Sequence, residues 1–81
     1  MEISVQLHGW LKRKAKDSHG RVDLDLPSGS DVGQAIAALR ERGLLGERLT
    51  SVIVIDGERV SSDQVLEPGD VVELYPVISG G

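Results

Sequence analysis

The sequence predicts one small α+β domain in which a single helix packs on one face of a mixed sheet of four to five strands. Two alternating stretches come first, a stretch with helical spacing follows, and two strand-like runs with a short third between them complete the chain. At 81 residues the chain forms one domain, because folding at this size hides only about 60 to 65% of the unfolded chain's surface. One modest core is expected, without a buried active-site cleft.

The first two strands are predicted to form a hairpin. Apolar and polar residues alternate over residues 2–8 and again over residues 21–26, as in strands with one buried face. Residues 9–20 between them are rich in charge and are interpreted as a long, mobile connecting loop. His8 lies on the polar side of its strand and His19 lies in the loop, so both are predicted to be surface residues rather than ligands or bases.

A helix is predicted over residues 31–42. Four apolar residues in it share one stripe at the spacing i, i+3, i+4, i+7: Val32, Ala35, Ile36 and Leu39. Ser30 or Asp31 can cap its first free N–H groups, and Gly43 is placed to end it in a left-handed conformation.

Three strands are predicted after the helix. Residues 51–55 form a continuous β-branched run, typical of an interior strand covered on both faces or of a strand whose outer face another protein covers. A short segment at 58–60 and a last strand at 71–75 follow. Pro76 is expected to end the last strand, because it has no N–H to donate.

One helix covers only one face of such a sheet, so the other face is predicted to stay open. Tyr75 is expected to point outward, together with two of the side chains at 52–55, for which Val52 and Val54 are the candidates. Pro76 directly follows Tyr75 in sequence. Because exposed apolar patches often mark interfaces, these four residues are the predicted partner interface.

Composition excludes several classes of function. The chain has no Cys, which excludes a disulfide framework, a thiol nucleophile and a cysteine metal site, and two His make a dedicated metal site improbable. No paired nucleophile and base and no glycine-rich phosphate loop is visible, so the chain is not expected to be an enzyme by itself. No apolar run approaches the roughly 20 residues that cross a bilayer. A cytoplasmic protein that does not bind membranes is the expectation.

Charge is distributed unevenly along the chain, whose net charge is −4. Residues 12–21 hold five basic residues and one acidic residue, whereas residues 22–81 hold four basic and eleven acidic ones. No aromatic residue is interleaved with the basic cluster to stack on bases, so no nucleic-acid partner is predicted. The acidic body is better suited to basic surfaces of partner proteins.

The last five residues are the most informative stretch. They follow the final strand and consist of small or aliphatic residues: Val77, Ile78, Ser79, Gly80 and Gly81. The predicted organisation is therefore a folded domain at 1–76 and a flexible tail at 77–81. These side chains offer no acid, base or metal ligand, so the terminal carboxylate of Gly81 is the one distinctive chemical group.

A terminal carboxylate is ionised in the cell and is a poor electrophile, so an enzyme must activate it. A mixed anhydride with AMP supplies a good leaving group, which a sulfur nucleophile from a partner can displace. Glycine at the last two positions suits a narrow channel, because it has no Cβ and adopts many backbone conformations. Fully extended, residues 76–81 reach roughly 20 Å.

The order of elements, the turn at 66–70 leading into the last strand, and the Gly80–Gly81 ending resemble the β-grasp, ubiquitin-like sulfur carriers. Within that family the small subunit of molybdopterin synthase is most similar. The resemblance implies that Gly81 is adenylated and then thiocarboxylated, and that residues 77–80 occupy a channel in the partner. It also implies three partners, namely an adenylating E1-like enzyme that uses ATP, a sulfur donor protein and a synthase large subunit. No bound cofactor is implied.

Two alternatives remain open from the sequence. The chain could carry sulfur for thiamine thiazole or another sulfur product, and the identity of the synthase that binds it would separate these pathways. It could also be a protein modifier joined through Gly81 to lysines of target proteins.

Overall fold

The computed structural model describes residues 1–45 and 51–77, and for residues 14–18 it describes the backbone alone. Within these ranges the chain forms five strands and one α-helix, together with a 3₁₀ helix at Gly9–Ser18. The strands are β1 (Glu2–Leu7), β2 (Arg21–Asp25), β3 (Ser51–Ile55), β4 (Glu58–Val60) and β5 (Val71–Pro76), and the helix α1 is Val32–Glu41. This is the predicted order of elements, and β5 extends one residue further than predicted.

The strands form a single mixed sheet in the order β2-β1-β5-β3-β4. β1 and β2 form the predicted antiparallel hairpin, whereas β1 and β5 pair in parallel, with Val5 beside Val72. β5 pairs antiparallel with β3, and β3 with β4. The last strand of the sequence therefore lies at the centre of the sheet.

The core lies between α1 and one face of this sheet. All four residues of the predicted helix stripe are buried, and Leu39 and Val32 have no exposed surface. The sheet contributes alternate residues: Ile3, Val5, Leu7, Val22, Leu24, Ile53, Val72 and Leu74. Leu11, Leu45 and Leu66 from the connections complete the core. Leu49, which the sequence places in the same loop as Leu45, lies outside the described residues.

Both ends of α1 are capped by the residues that the sequence indicates. Of the two candidates for the N-cap, Asp31 takes the position, since its Oδ1 accepts a hydrogen bond from the Gln34 backbone N–H at 2.9 Å. The Gln34 side chain accepts one in return from the Asp31 N–H. Ser30 is instead buried and donates its hydroxyl to the Pro27 carbonyl at 2.7 Å. Gly43 follows the helix at φ +73°, which favours glycine.

The prediction of a loop over residues 9–20 is wrong, because Gly9–Ser18 forms a 3₁₀ helix. Its anchor is Leu11, which is buried in the core and whose N–H donates to the His8 carbonyl at 3.2 Å. Gly9 begins the helix at φ +57°, and His19 and Gly20 follow it with φ of 56° and 84°. A single apolar anchor among many charges gives no helical periodicity, so the pattern was not visible in the sequence. His19 is exposed, as predicted.

Ile36→Asp should unfold the domain, because Ile36 is only 5% exposed and belongs to the apolar stripe that packs α1 against the sheet. Burying one such side chain contributes roughly 1.5 to 3 kcal/mol, and a buried unpaired carboxylate adds a further cost. Circular dichroism during thermal unfolding is the measurement. Ala37→Asp is the control, since Ala37 is exposed on the same helix. A normal melting curve for Ile36→Asp would contradict the packing of α1.

Candidate functional site

The structure describes the predicted site up to the first residue of the tail. Tyr75 and Pro76 end β5, and Val77 follows with 43% of its surface exposed. Ile78, Ser79, Gly80 and Gly81 lie outside the described residues. The geometry of the site is therefore that of the base from which the tail departs.

The sheet face opposite α1 brings together three of the four predicted interface residues, and the fourth, Pro76, lies at the end of β5. Directly paired residues on neighbouring strands point to the same face, and Tyr75 pairs with Val52 while Glu73 pairs with Val54. Val52 and Val54 are half-buried, and Tyr75 is 38% exposed. We call this surface, formed by Val52, Val54, Glu73 and Tyr75, the open face. It combines two valines and an aromatic ring with the Glu73 carboxylate, and β5 leads from it directly to Pro76 at the start of the tail.

His8 and Glu73 surround Tyr75 in an arrangement that the sequence did not indicate. The rings of His8 and Tyr75 are stacked in parallel, with centroids 4.1 Å apart. His8 Nε2 lies 3.2 Å from Glu73 Oε1, and the Tyr75 hydroxyl donates to the same oxygen at 3.3 Å. His8 thus lies on the polar face as predicted, but it is half-buried there. Only knowledge of the parallel β1–β5 pairing would have placed it beside Tyr75.

The surroundings of Tyr75 favour its neutral form. Partial desolvation of the phenol raises the pKa of Tyr75 above its ordinary value, and the negative charge of Glu73 and its hydrogen bond act in the same direction. A neutral phenol at physiological pH keeps a hydrogen-bond donor and a flat apolar surface on the open face. The ring is therefore suited to contacting a partner protein.

Trp10 is a further exposed aromatic residue that the sequence analysis did not assign to the site. It is 53% exposed and follows Gly9, the residue against which the ring of Pro76 lies. Trp10 directly follows Gly9, and Tyr75 and Val77 flank Pro76. Three of the large exposed apolar residues therefore adjoin the contact between Gly9 and Pro76. The base of the tail is bordered by apolar surface.

No cluster of three or more His, Asp or Glu side chains in the described ranges could hold a metal ion. Among the helices at 1–45 and 51–77, none is long and apolar enough to cross a membrane.

Comparison of the fold with solved structures gives extensive matches at low sequence identity. A putative molybdopterin converting factor subunit 1 from Pyrococcus furiosus has a TM-score of 0.82 at 23% identity, covering 96% of this chain and 99% of that one. Small archaeal modifier protein 1 from Haloferax volcanii has a TM-score of 0.79 at 18% identity, covering 95% and 98%. A complex of subunits 1 and 2 of molybdopterin-converting factor from Helicobacter pylori gives 0.71 at 24% identity, covering all of both chains. No curated protein sequence matches.

These matches and the arrangement of one helix on a five-stranded mixed sheet define a ubiquitin-like β-grasp domain, as the sequence resemblance implies. The ThiS family model matches residues 5–81, nearly the whole chain. The chain belongs to the ThiS family. It has the fold of the small sulfur carriers and protein modifiers of the ubiquitin-like class.

The chain contains one Tyr, so its titration can be followed by the absorbance of the phenolate without ambiguity. The midpoint should lie above that of a free tyrosine, because both desolvation and Glu73 disfavour the phenolate. Glu73→Gln should lower the midpoint part of the way, since desolvation remains. Glu67→Gln, in the turn before β5, is the control and should leave it unchanged. An ordinary midpoint in the unaltered protein would contradict the described surroundings of Tyr75.

Proposed function

We propose that this chain is a sulfur carrier whose terminal Gly81 is adenylated, converted to a thiocarboxylate and used to donate sulfur in molybdopterin biosynthesis. The observation that carries the proposal is the Gly80–Gly81 ending of a ThiS-family chain whose tail begins at the central strand of the sheet. Solved molybdopterin converting factor subunits of the same fold support the choice of pathway.

The proposed chemistry needs only the terminal carboxylate from this chain. An oxygen of the Gly81 carboxylate attacks the α-phosphorus of ATP on the activating enzyme, and pyrophosphate leaves. Sulfide, as HS⁻ released by the donor protein, then attacks the acyl carbon and AMP leaves, so that loss of the sulfur-bound proton gives the thiocarboxylate. The chain has no Cys, so it cannot capture sulfur on a side chain of its own. In this proposal Gly80, Ser79 and Ile78 occupy the partner's narrow channel next to the reacting carbon.

Affinity for the partners must come largely from the folded body. Ordering a flexible tail costs on the order of 1 to 2 kcal/mol per residue, so the tail alone would bind weakly. The open face and Pro76 adjoin the tail and present Tyr75, Val52 and Val54 to a partner. We assign this surface to the adenylating E1-like enzyme and the synthase large subunit in turn. The cytoplasm, where ATP is available, is the proposed location.

A protein modifier is the second candidate, and the similarity in fold to small archaeal modifier protein 1 supports it. Activation of Gly81 would then be shared, but the acyl group would pass to a lysine amine instead of to sulfur. Larger conjugates on an immunoblot, lost when Gly81 is deleted, would favour this function. A carrier for thiamine thiazole or another sulfur product would be distinguished by the synthase that binds.

Incubation with ATP, an activating enzyme and a sulfur donor should replace one terminal oxygen by sulfur in the intact protein. Intact mass spectrometry measures this directly. Deleting Gly81, or adding one Ala after it, should abolish the reaction without changing the melting temperature, because the residues of the described core lie between Ile3 and Leu74. The absence of any adduct, under conditions in which a known carrier reacts, would contradict the proposal.

Val52→Lys should weaken binding of the activating enzyme by about tenfold or more, since a truncated or charged residue at an interface centre commonly costs more than 1 kcal/mol. Isothermal titration calorimetry is the measurement. Val65→Lys is the matched control, because Val65 is 56% exposed but pairs with Asp31 at the start of α1, away from the open face. Equal affinities for the two variants would show that the enzyme binds elsewhere.

A further inference from the structure

Gly9 lies against the ring of Pro76 at the point where the tail departs. A Cβ added to Gly9 would lie 2.9 Å from Pro76 Cγ and 3.3 Å from Pro76 Cδ. The first distance is shorter than carbon atoms in proteins tolerate, so any other residue at position 9 would push the proline ring. Gly9 also has φ +57°, which favours glycine. The lack of space therefore requires glycine here, and the backbone conformation favours it.

The contact belongs to a set that holds the end of β5 from the side of β1. The His8 N–H donates to the Leu74 carbonyl at 3.0 Å, and the His8 ring stacks on Tyr75. Gly9 continues the same segment onto Pro76. His8 and Gly9, which follow β1, thus contact three successive residues of β5.

The side of β3 holds the same residues by strand pairing. Tyr75 pairs with Val52, and Pro76 pairs with Ser51. Pro76 therefore lies between Gly9 on one side and Ser51 on the other. Because the proline ring fixes φ near −65°, the position of the ring sets the direction in which Val77 continues.

We propose that Gly9 is a positioning residue for the reaction of the tail, which it directs by seating the ring of Pro76. The inference rests on the proposed function and adds to it a residue far from Gly81 in sequence. A displacement of about 1 Å at a distance from the reacting atoms can cost on the order of 100-fold in rate. A shifted Pro76 ring would change the direction in which Val77 leaves the folded body.

Gly9→Ala is the test, and Gly43→Ala is its matched control. Gly43 also has positive φ, at +73°, but no atom of residues 1–45 or 51–77 beyond its chain neighbours lies within 4 Å of an added Cβ. The two variants therefore share the backbone strain of an alanine in the left-handed region, and only Gly9→Ala presses on Pro76. Pro76→Ala removes Cγ and Cδ, the two atoms in the contact, and completes a double-mutant cycle with Gly9→Ala.

The rate of adenylation should be measured with an activating enzyme that accepts the unaltered protein. We expect Gly9→Ala to lower kcat by about tenfold or more with a smaller change in KM, since the side chains of Val52, Val54 and Tyr75 on the open face are all retained. Gly43→Ala should react normally. In the Pro76→Ala background, adding Gly9→Ala should have little further effect. Equal kcat for Gly9→Ala and Gly43→Ala, with the unaltered protein active, would overturn the role of Gly9 and leave the proposed function intact.

A structural measurement tests the positioning independently of activity. Residual dipolar couplings of the Val77 amide should change in Gly9→Ala and stay unchanged in Gly43→Ala. Nuclear Overhauser effects between the Gly9 α-protons and the Pro76 ring should be present in the unaltered protein. If that protein is never adenylated, the proposed function fails. Unchanged Val77 couplings in Gly9→Ala would overturn the positioning in either case.

Discussion

Strand β5 is hydrogen-bonded along both of its edges, in parallel to β1 and antiparallel to β3, and the rest of the molecule depends on this pairing. Its inward residues Val72 and Leu74 have no exposed surface. Burial of each contributes roughly 1.5 to 3 kcal/mol in a domain whose net stability is only about 5 to 15 kcal/mol. The final strand cannot fray without loss of the core, so the tail starts from the most firmly held part of the sheet.

The other side of the same strand forms part of the open face. Alternation along β5 places Glu73 and Tyr75 on the open face, where β3 adds Val52 and Val54. The open face, which is the proposed recognition surface, and the start of the tail therefore lie within a few residues of one another. This arrangement suits a protein that acts as a substrate, since the body can bind while the terminus enters the active site of another protein. His8 connects the open face to the base of the tail, because its ring stacks on Tyr75 and the next residue is Gly9.

The local elements could be predicted from the sequence because their signals are local. Period-two alternation indicated β1 and β2, helical spacing indicated α1, and Asp31 and Gly43 marked its ends. The 3₁₀ helix at Gly9–Ser18 was not predicted, because Leu11 is the only buried side chain among residues 9–13 and the surrounding charges show no period.

The order of strands could not be read from the sequence, since β1 and β5 are separated by most of the chain. The contacts that depend on this pairing could therefore not be predicted either. His8 could be placed on the polar face but not beside Tyr75, and nothing in the sequence linked Gly9 to Pro76. The candidate interface was predictable in composition, because alternation alone assigns Tyr75 to the outward side of its strand.

The most direct test of the account uses the absence of cysteine from the chain. The protein should be purified from cells with an active sulfur-donor system, treated with a thiol-selective alkylating agent, and mapped by tandem mass spectrometry. The account predicts one adduct, located on the terminal sulfur of Gly81, because no side chain of this protein carries a thiol. An unmodified terminus in such cells, or an adduct confined to another residue, would contradict it.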